Sequence, residues 1–226
     1  MGITEKIDPR VVRSRAAVVD AARMLFLQKG YAGTTMAEIA GAAGLTKRTL
    51  YNNYPDKRAL FTMIVMDVTS LADEFARGLR QQFDDNVKAD DLRAVLTELG
   101  QRLALGIVRR EVIAMRRLLI GEAREFPELA KQYFERAPGQ VLDALAAGFS
   151  GLAKARLLRT SDPHMAAAQF AYLVAGEPLD RAVLVGALPT RKHVIACAGE
   201  GVDTFIARYG LGAHRVSREA VNKVRR

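Results

Sequence analysis

Lys47 and Arg48, and further along Lys57 and Arg58, place two pairs of cations where the local pattern predicts the first turns of two helices. A cation at that end of a helix lies at the positive pole of the dipole and costs about 0.3–1 kcal/mol. A phosphate reverses the sign of that cost, because exposed helical N–H groups and cationic side chains attract the same anion. The chemistry these residues are suited to is therefore the gripping of a phosphodiester backbone. An arginine or asparagine one turn further on can also reach base edges in a major groove.

The elements that must hold these cations are legible around them. Thr35 and Glu38 have the spacing of a capping box and start a helix on which Met36, Ile39, Ala40 and Ala43 share one face. Gly44 can end that helix in a left-handed conformation, and Thr46 can cap the next. In that second helix Leu50 and Tyr54 fall on the inward face, while Lys47, Arg48, Thr49 and Asn52 point elsewhere. Two short helices joined by a glycine turn make a helix-turn-helix, with the second helix as the reader.

The stretch RAAVVDAARMLFLQKGYAGTTMAEIAGAAGLTKRTLYNNYPDKRALF, Arg15 to Phe61, resembles the DNA-binding domain of the tetracycline-repressor (TetR) family of bacterial transcription regulators. Shared features are the Lys-Gly-Tyr helix end, the Thr-Thr start, the Ala-Gly-Leu turn, Thr-Leu-Tyr, and Tyr-Pro-Asp-Lys. By position, the resemblance implies that Lys47, Arg48, Thr49 and Asn52 face bases or nearby phosphates, and that Thr35, Tyr51, Asn53 and Lys57 hold the backbone. Arg48 stands where many members have a small residue, and Asn53 where many have histidine or an aromatic. The docking is thus expected to be shared and the operator sequence to differ. Gly121 to Leu145 is also similar to the C-terminal domain of one subgroup of the family.

The net charge of +9 is uneven. Residues 1–60 carry 10 basic and 5 acidic side chains, residues 61–207 carry 18 and 19, and residues 208–226 carry 6 and 1. Basicity is concentrated at the two ends. Half the residues are hydrophobic, ample for a core in the part beyond a DNA-binding unit of about 60 residues. Cys197 is the single cysteine, so no intrachain disulfide can form; it reads as a small packed residue in a cytoplasmic protein. No apolar run approaches a membrane span, and the first ten residues lack a hydrophobic signal core.

Helical spacing predominates after Pro9. The first helix is expected from Pro9 to Lys29. A long helix is expected from Asp56, since Leu60, Ile64, Val68, Leu71, Phe75 and Leu79 recur at helical spacing; it would extend about 40 Å at 1.5 Å per residue. A polar break at Asp84 to Asp91 precedes helices expected at Leu92–Ile107, Glu111–Glu125, Pro127–Leu158, Pro163–Ala187 and Thr190–Tyr209. Pro138 and Pro178 fall inside helical patterns and are expected to kink or break them. The fold class is all-α: residues 1–60 a helix-turn-helix domain, 61–209 a ligand-binding and dimerisation domain, 210–226 a basic tail in which Ser217 could cap a short helix.

The segment Ala166 to Leu188 is apolar on nearly every side and so needs cover on both faces. Ala167, Phe170, Ala171 and Val174, with Val194, Ala198, Val202 and Phe205 of the last helix, are the candidates for a four-helix homodimer interface like that of the family. Met63, Met66, Phe75, Met115, Tyr133 and Phe134 are the candidates for an apolar effector pocket. No metal-binding, nucleotide-binding or hydrolase motif is present. His164, His193 and His214 form no recognisable ligand cluster, and His164 reads as a helix-start residue. No cofactor or metal is expected.

The residues predict double-stranded DNA as a partner. The resemblance implies a homodimeric repressor released from a palindromic operator by an apolar or amphipathic small molecule. Two alternatives stay open: a constitutive or activating regulator without a ligand, and a helical carrier or enzyme with a vestigial helix-turn-helix.

Overall fold

A computed structural model describes residues 9–84 and 89–211 of the chain. Among these residues the secondary structure is helical, apart from one isolated antiparallel bridge between Leu158 and Gly210. Eleven α-helices follow in order: α1 Pro9–Lys29, α2 Met36–Ala42, α3 Lys47–Asn53, α4 Lys57–Asp67, α5 Thr69–Asp84, α6 Leu92–Ile107, α7 Arg110–Glu122, α8 Pro127–Phe134, α9 Gln140–Lys154, α10 Pro163–Val185 and α11 Arg191–Tyr209. None of the described helices is long and apolar enough to cross a membrane. The tail from Ala213 to Arg226, and His214 within it, lie outside the described residues.

Two of the expected helices are interrupted. The long helix from Asp56 is divided at Val68 into α4 and α5. Thr69 donates its hydroxyl to the Met66 carbonyl at 2.7 Å, so a side chain takes an acceptor of the terminating turn. The helix expected over Pro127–Leu158 is divided into α8 and α9 by a π-turn, Glu135–Gly139, which contains Pro138. Proline lacks the N–H that an α-helix needs there, and a π-turn accommodates the loss. Pro178, by contrast, is carried inside α10 without ending it; the ring is buried, and packing offsets the missing hydrogen bond.

The chain forms two compact units. The first holds the described residues up to Thr69 together with Ala114–Tyr133, more than the 60 residues expected for a DNA-binding domain. Its centre is aromatic. Phe61 lies 5.3 Å from Phe26, 5.0 Å from Tyr31 and 5.1 Å from Phe126, and the Tyr31 and Phe126 rings meet edge to face at 4.7 Å. Glu122, at the end of α7, accepts the Tyr31 N–H at 3.0 Å, and the Arg58 guanidinium lies 5.0 Å from the Phe126 ring centroid. The α7–α8 junction is thereby fastened to the end of α1 and the start of α4.

The second unit holds the described residues of 70–113 and 134–211. Here α10 packs on α9, α6 and α11, and α11 also packs on α6. Phe149, Phe170, Phe205 and Tyr209 meet edge to face or tilted at centroid separations of 4.7–5.4 Å, and the Tyr209 hydroxyl donates to Gln169 at 2.6 Å. At the α10–α11 crossing the helices come so close that a Cβ on Gly201 would fall 2.5 Å from the Leu173 carbonyl oxygen.

This packing uses within one chain most of the residues expected from sequence at a dimer interface. Ala167, Phe170, Val174, Val194, Ala198, Val202 and Phe205 are all fully buried within one chain, and Ala171 packs against the same core. A side chain without exposed surface has none to offer a second copy. The opposite stripe of α10 carries exposed Met165 and Tyr172, 53% and 70% accessible, with half-buried Ala168, Gly176, Leu179 and Val183 between and beyond them.

Candidate nucleic-acid interface

The reader helix is built by its caps and one anchor. Thr35 caps α2: its hydroxyl oxygen accepts the Glu38 N–H at 3.2 Å, and the Glu38 carboxylate accepts the Thr35 N–H at 2.9 Å. Lys29 donates to the other Glu38 oxygen at 2.7 Å. That ammonium, with the Thr35 bonds, pulls the Glu38 carboxyl down to about 2 from its ordinary value of 4.5. Gly44 turns the chain with φ +67°, and Thr46 caps α3 by accepting the Thr49 N–H at 3.2 Å. Leu50 is fully buried and Tyr54 nearly so, which fixes the rotation of α3 about its axis.

With Leu50 inward, Lys47, Arg48, Tyr51, Asn52 and Asn53 are exposed, while Thr49 is half-buried. Thr49 shares a 2.9 Å hydroxyl contact with Thr46, and Asn53 donates its amide to the Thr49 carbonyl at 2.9 Å. Thr49 and Asn53 thus finish α3 at its two ends, and Lys47, Arg48, Tyr51 and Asn52 project outward with no structural duty of their own that the packing requires.

Lys57 differs from the other cations. Its ammonium donates to the Tyr31 and Thr34 carbonyls at 2.8 Å each and lies 4.3 Å from the Tyr31 ring centroid. It therefore ties the α1–α2 loop to the start of α4, where Asp56 caps the helix by accepting the Ala59 N–H at 2.7 Å. An ammonium has three donors, so one remains for an outside acceptor. Lys57, Asp56, Thr34, Thr35, Lys47 and Tyr51 line an open cleft of about 390 Å³ at the starts of α2, α3 and α4. The cleft joins four of the eight residues singled out from sequence, Thr35, Lys47, Tyr51 and Lys57, and its cations and helix N-termini suit a phosphate. Arg58 lies over the Phe126 ring, a contact with a residue far along the chain that no local pattern announces.

The six residues expected around an effector fall in both units. Met63, Met66, Met115 and Tyr133 belong to the first, where Met63 is partly exposed, Met66 half-buried, and Met115 and Tyr133 closed in the core. Burial pushes the Tyr133 phenol up, against the opposing charge of Arg116. The Arg116 Nε is buried without a hydrogen-bond partner. Phe75 and Phe134 belong to the second unit; Phe75 packs on that unit's core and Phe134 is 55% exposed.

His164 is the second residue of α10, 3.7 Å from Asp143. The other described histidine, His193, has no recognisable ligand cluster in the sequence, yet the fold sets it beside Glu177 and Cys197. The signal available was the i, i+4 spacing of His193 and Cys197, which puts both on one helical face.

Comparison with known proteins gives consistent matches. Residues 18–64 match the family model of bacterial regulatory proteins of the tetR family, and residues 94–211 match that of the AefR-like transcriptional repressor C-terminal domain. A putative TetR-family transcriptional regulator from Mesorhizobium loti has a solved structure that superposes with a TM-score of 0.78 at 27% identity, covering 90% of this chain and all of that one. The flavonoid-responsive regulator FrrA superposes with a TM-score of 0.67 at 28% identity, covering 88% and 98%. The HTH-type transcriptional regulator TtgR of Pseudomonas putida is 27% identical over 99 residues, 44% of this chain and 47% of TtgR. The chain thus spans about half the length of that curated relative.

Proposed function

Because the chain belongs to the TetR family of bacterial transcription regulators, and is on that ground a DNA-binding regulator rather than an enzyme, we propose that it is a homodimeric repressor. In this reading α3 enters the major groove of a palindromic operator, and a small molecule releases the protein. The observation that carries it is the division of labour on α3: Leu50 and Tyr54 hold the helix, and Lys47, Arg48, Tyr51 and Asn52 are left projecting. Arg48 and Asn52 lie four residues apart on one face, where a guanidinium can address guanine and an amide adenine. Lys47, Thr35, Tyr51, Asn53 and the free donor of Lys57 grip phosphates on either side.

Two readers bound to successive major-groove turns require a dimer. The outward stripe of α10, Met165, Tyr172, Leu179 and Val183, supplies an apolar face for a second copy. Cytoplasmic location follows from this role.

The effector is apolar or amphipathic. The flexible side chains of Met63 and Met66 can reshape around such a molecule, and the unpartnered Nε of Arg116 would welcome an acceptor on it. One relative of the same fold is described as flavonoid-responsive, which is a molecule of that kind. The link from effector to reader runs through the α7–α8 junction, whose Glu122 and Phe126 hold Tyr31, whose carbonyl in turn holds Lys57. A ligand that prefers a different placement of this junction lowers operator affinity, and operator lowers ligand affinity by the same factor.

The test is fluorescence anisotropy of the full-length protein on an operator recovered by in vitro selection, with a panel of planar aromatic and amphipathic compounds pre-screened by thermal shift. A compound that stabilises the protein and weakens operator binding reciprocally supports the reading. Compounds that bind without altering operator affinity would leave a regulator without this switch.

A further inference from the structure

We propose that Glu177, His193 and Cys197 form a three-ligand site for a borderline transition-metal dication of the Zn2+ class, joining α10 to α11. Glu177 comes from α10, and His193 and Cys197 lie one turn apart on α11. The three potential ligand atoms converge: His193 Nε2 to Glu177 Oε2 is 2.6 Å, Cys197 Sγ to His193 Nε2 is 3.6 Å, and Cys197 Sγ to Glu177 Oε2 is 3.8 Å.

These separations are close to three corners of a tetrahedron. Zinc bonds of about 2.3 Å to sulfur and about 2.0–2.2 Å to nitrogen and oxygen put tetrahedral sulfur–nitrogen and sulfur–oxygen edges near 3.6 Å, and the nitrogen–oxygen edge near 3.4 Å. The two edges that include sulfur already fit. Only the His193–Glu177 edge must open, by about 0.8 Å, because a hydrogen bond now holds those two atoms together where a metal would hold them apart.

The surroundings favour such a site. Arg181 donates its Nε to Glu177 Oε1 at 2.7 Å, which aims Oε2 at the histidine and the thiol, as outer partners of metal ligands do. His193 and Glu177 are 42% and 48% exposed, and Cys197 is half-buried, so an ion can enter and the fourth corner is left for water or an exogenous ligand. A mixed sulfur, nitrogen and oxygen set selects Zn2+, Co2+ or Ni2+ over Mg2+ or Ca2+, which take all-oxygen shells. On binding, Cys197 gives its thiol proton to solvent and coordinates as thiolate. The proton between His193 Nε2 and Glu177 departs and leaves Nε2 free for the metal, the neutral imidazole then carrying its proton on Nδ1 and any excess proton passing to solvent. No residue of the DNA-reading face takes part, so the site stands independently of the operator reading.

The experiment uses tag-free, chelator-treated, full-length protein with the thiol kept reduced, titrated with Co2+ and then Zn2+. One Co2+ per chain should give a thiolate-to-metal charge-transfer band and visible bands of tetrahedral intensity, all removed by Zn2+. As the chain has a single cysteine, the charge-transfer band reports Cys197 alone. Cys197→Ser should abolish it, His193→Ala and Glu177→Gln should each weaken Zn2+ binding at least about tenfold, and Arg181→Ala should keep the band with roughly tenfold weaker binding. None of the four side chains is fully buried, and unchanged melting of the metal-free variants will show that they fold. Absence of the charge-transfer band in wild-type protein, or Zn2+ affinity unchanged by Cys197→Ser or by His193→Ala, would overturn the proposal.

Discussion

Replacing Lys57 by methionine separates a residue that only grips DNA from one that also builds the reader domain. In the structure its ammonium serves two carbonyls, of Tyr31 and Thr34, at 2.8 Å, and faces the Tyr31 ring. Hydrogen bonds from a charged donor contribute about 1.5–3 kcal/mol each, and an exposed cation–π contact about 0.5–1 kcal/mol. The side chain is half-buried, so water can recover part of this when the ammonium is lost. The expected cost of Lys57→Met is about 2–3 kcal/mol. For a chain of this size that corresponds to a melting temperature lowered by roughly 4–12 °C. Denaturant unfolding of the full-length protein measures the first quantity. A salt titration of operator binding measures the second role: loss of one phosphate contact should reduce the slope of log affinity against log salt by about one. Stability within about 0.5 kcal/mol of wild type, as for a featureless surface position, would refute the carbonyl clamp. A salt slope unchanged beside reduced stability would confine Lys57 to the fold.

Other perturbations have expected outcomes of their own. Gly201→Ala forces a Cβ against the Leu173 backbone, and although alanine favours a helix by about 1 kcal/mol, the clash should dominate and cost about 1–3 kcal/mol net in denaturant unfolding. Glu38→Gln should destabilise at pH 7; because the folded carboxyl titrates at about 2 against an ordinary 4.5, the difference from wild type is fully present above about 5 and should disappear as the pH falls from there towards 2. Phe170→Glu should unfold the second unit, whereas Tyr172→Glu should leave circular dichroism unchanged and shift sedimentation from dimer to monomer; a folded Phe170→Glu dimer would contradict the packing described.

Local chemistry made the reader legible before the fold. The capping box of Thr35 and Glu38, the cap at Thr46 and the left-handed Gly44 each depend on neighbours within four residues, and each is found in the structure. The break at Val68 was not legible, since apolar spacing runs through it and no glycine or proline marks it; only the Thr69 hydroxyl, bonded to Met66, distinguishes the turn. Nor could periodicity say which side of α10 faces inward, because a helix apolar all round has no single inner face. Seven of the eight residues expected at the interface lie on the sides of α10 and α11 that pack within one chain, which is why they belong to the core. Glu177, His193 and Cys197 were legible only in part: the i, i+4 spacing puts His193 and Cys197 on one face, but an intervening loop separates Glu177 from them, and only the antiparallel return of α11 brings all three within 4 Å.

In vitro selection of DNA sites by wild-type protein and by Arg48→Ala in parallel tests the central claim, that α3 reads an operator as one of a pair. Both proteins should enrich the same palindrome with the same half-site spacing, and Arg48→Ala should lose preference at one symmetric pair of positions, worth about 1–3 kcal/mol per half-site. Enrichment of no palindrome by wild type, or identical base preferences for the two proteins, would contradict the account.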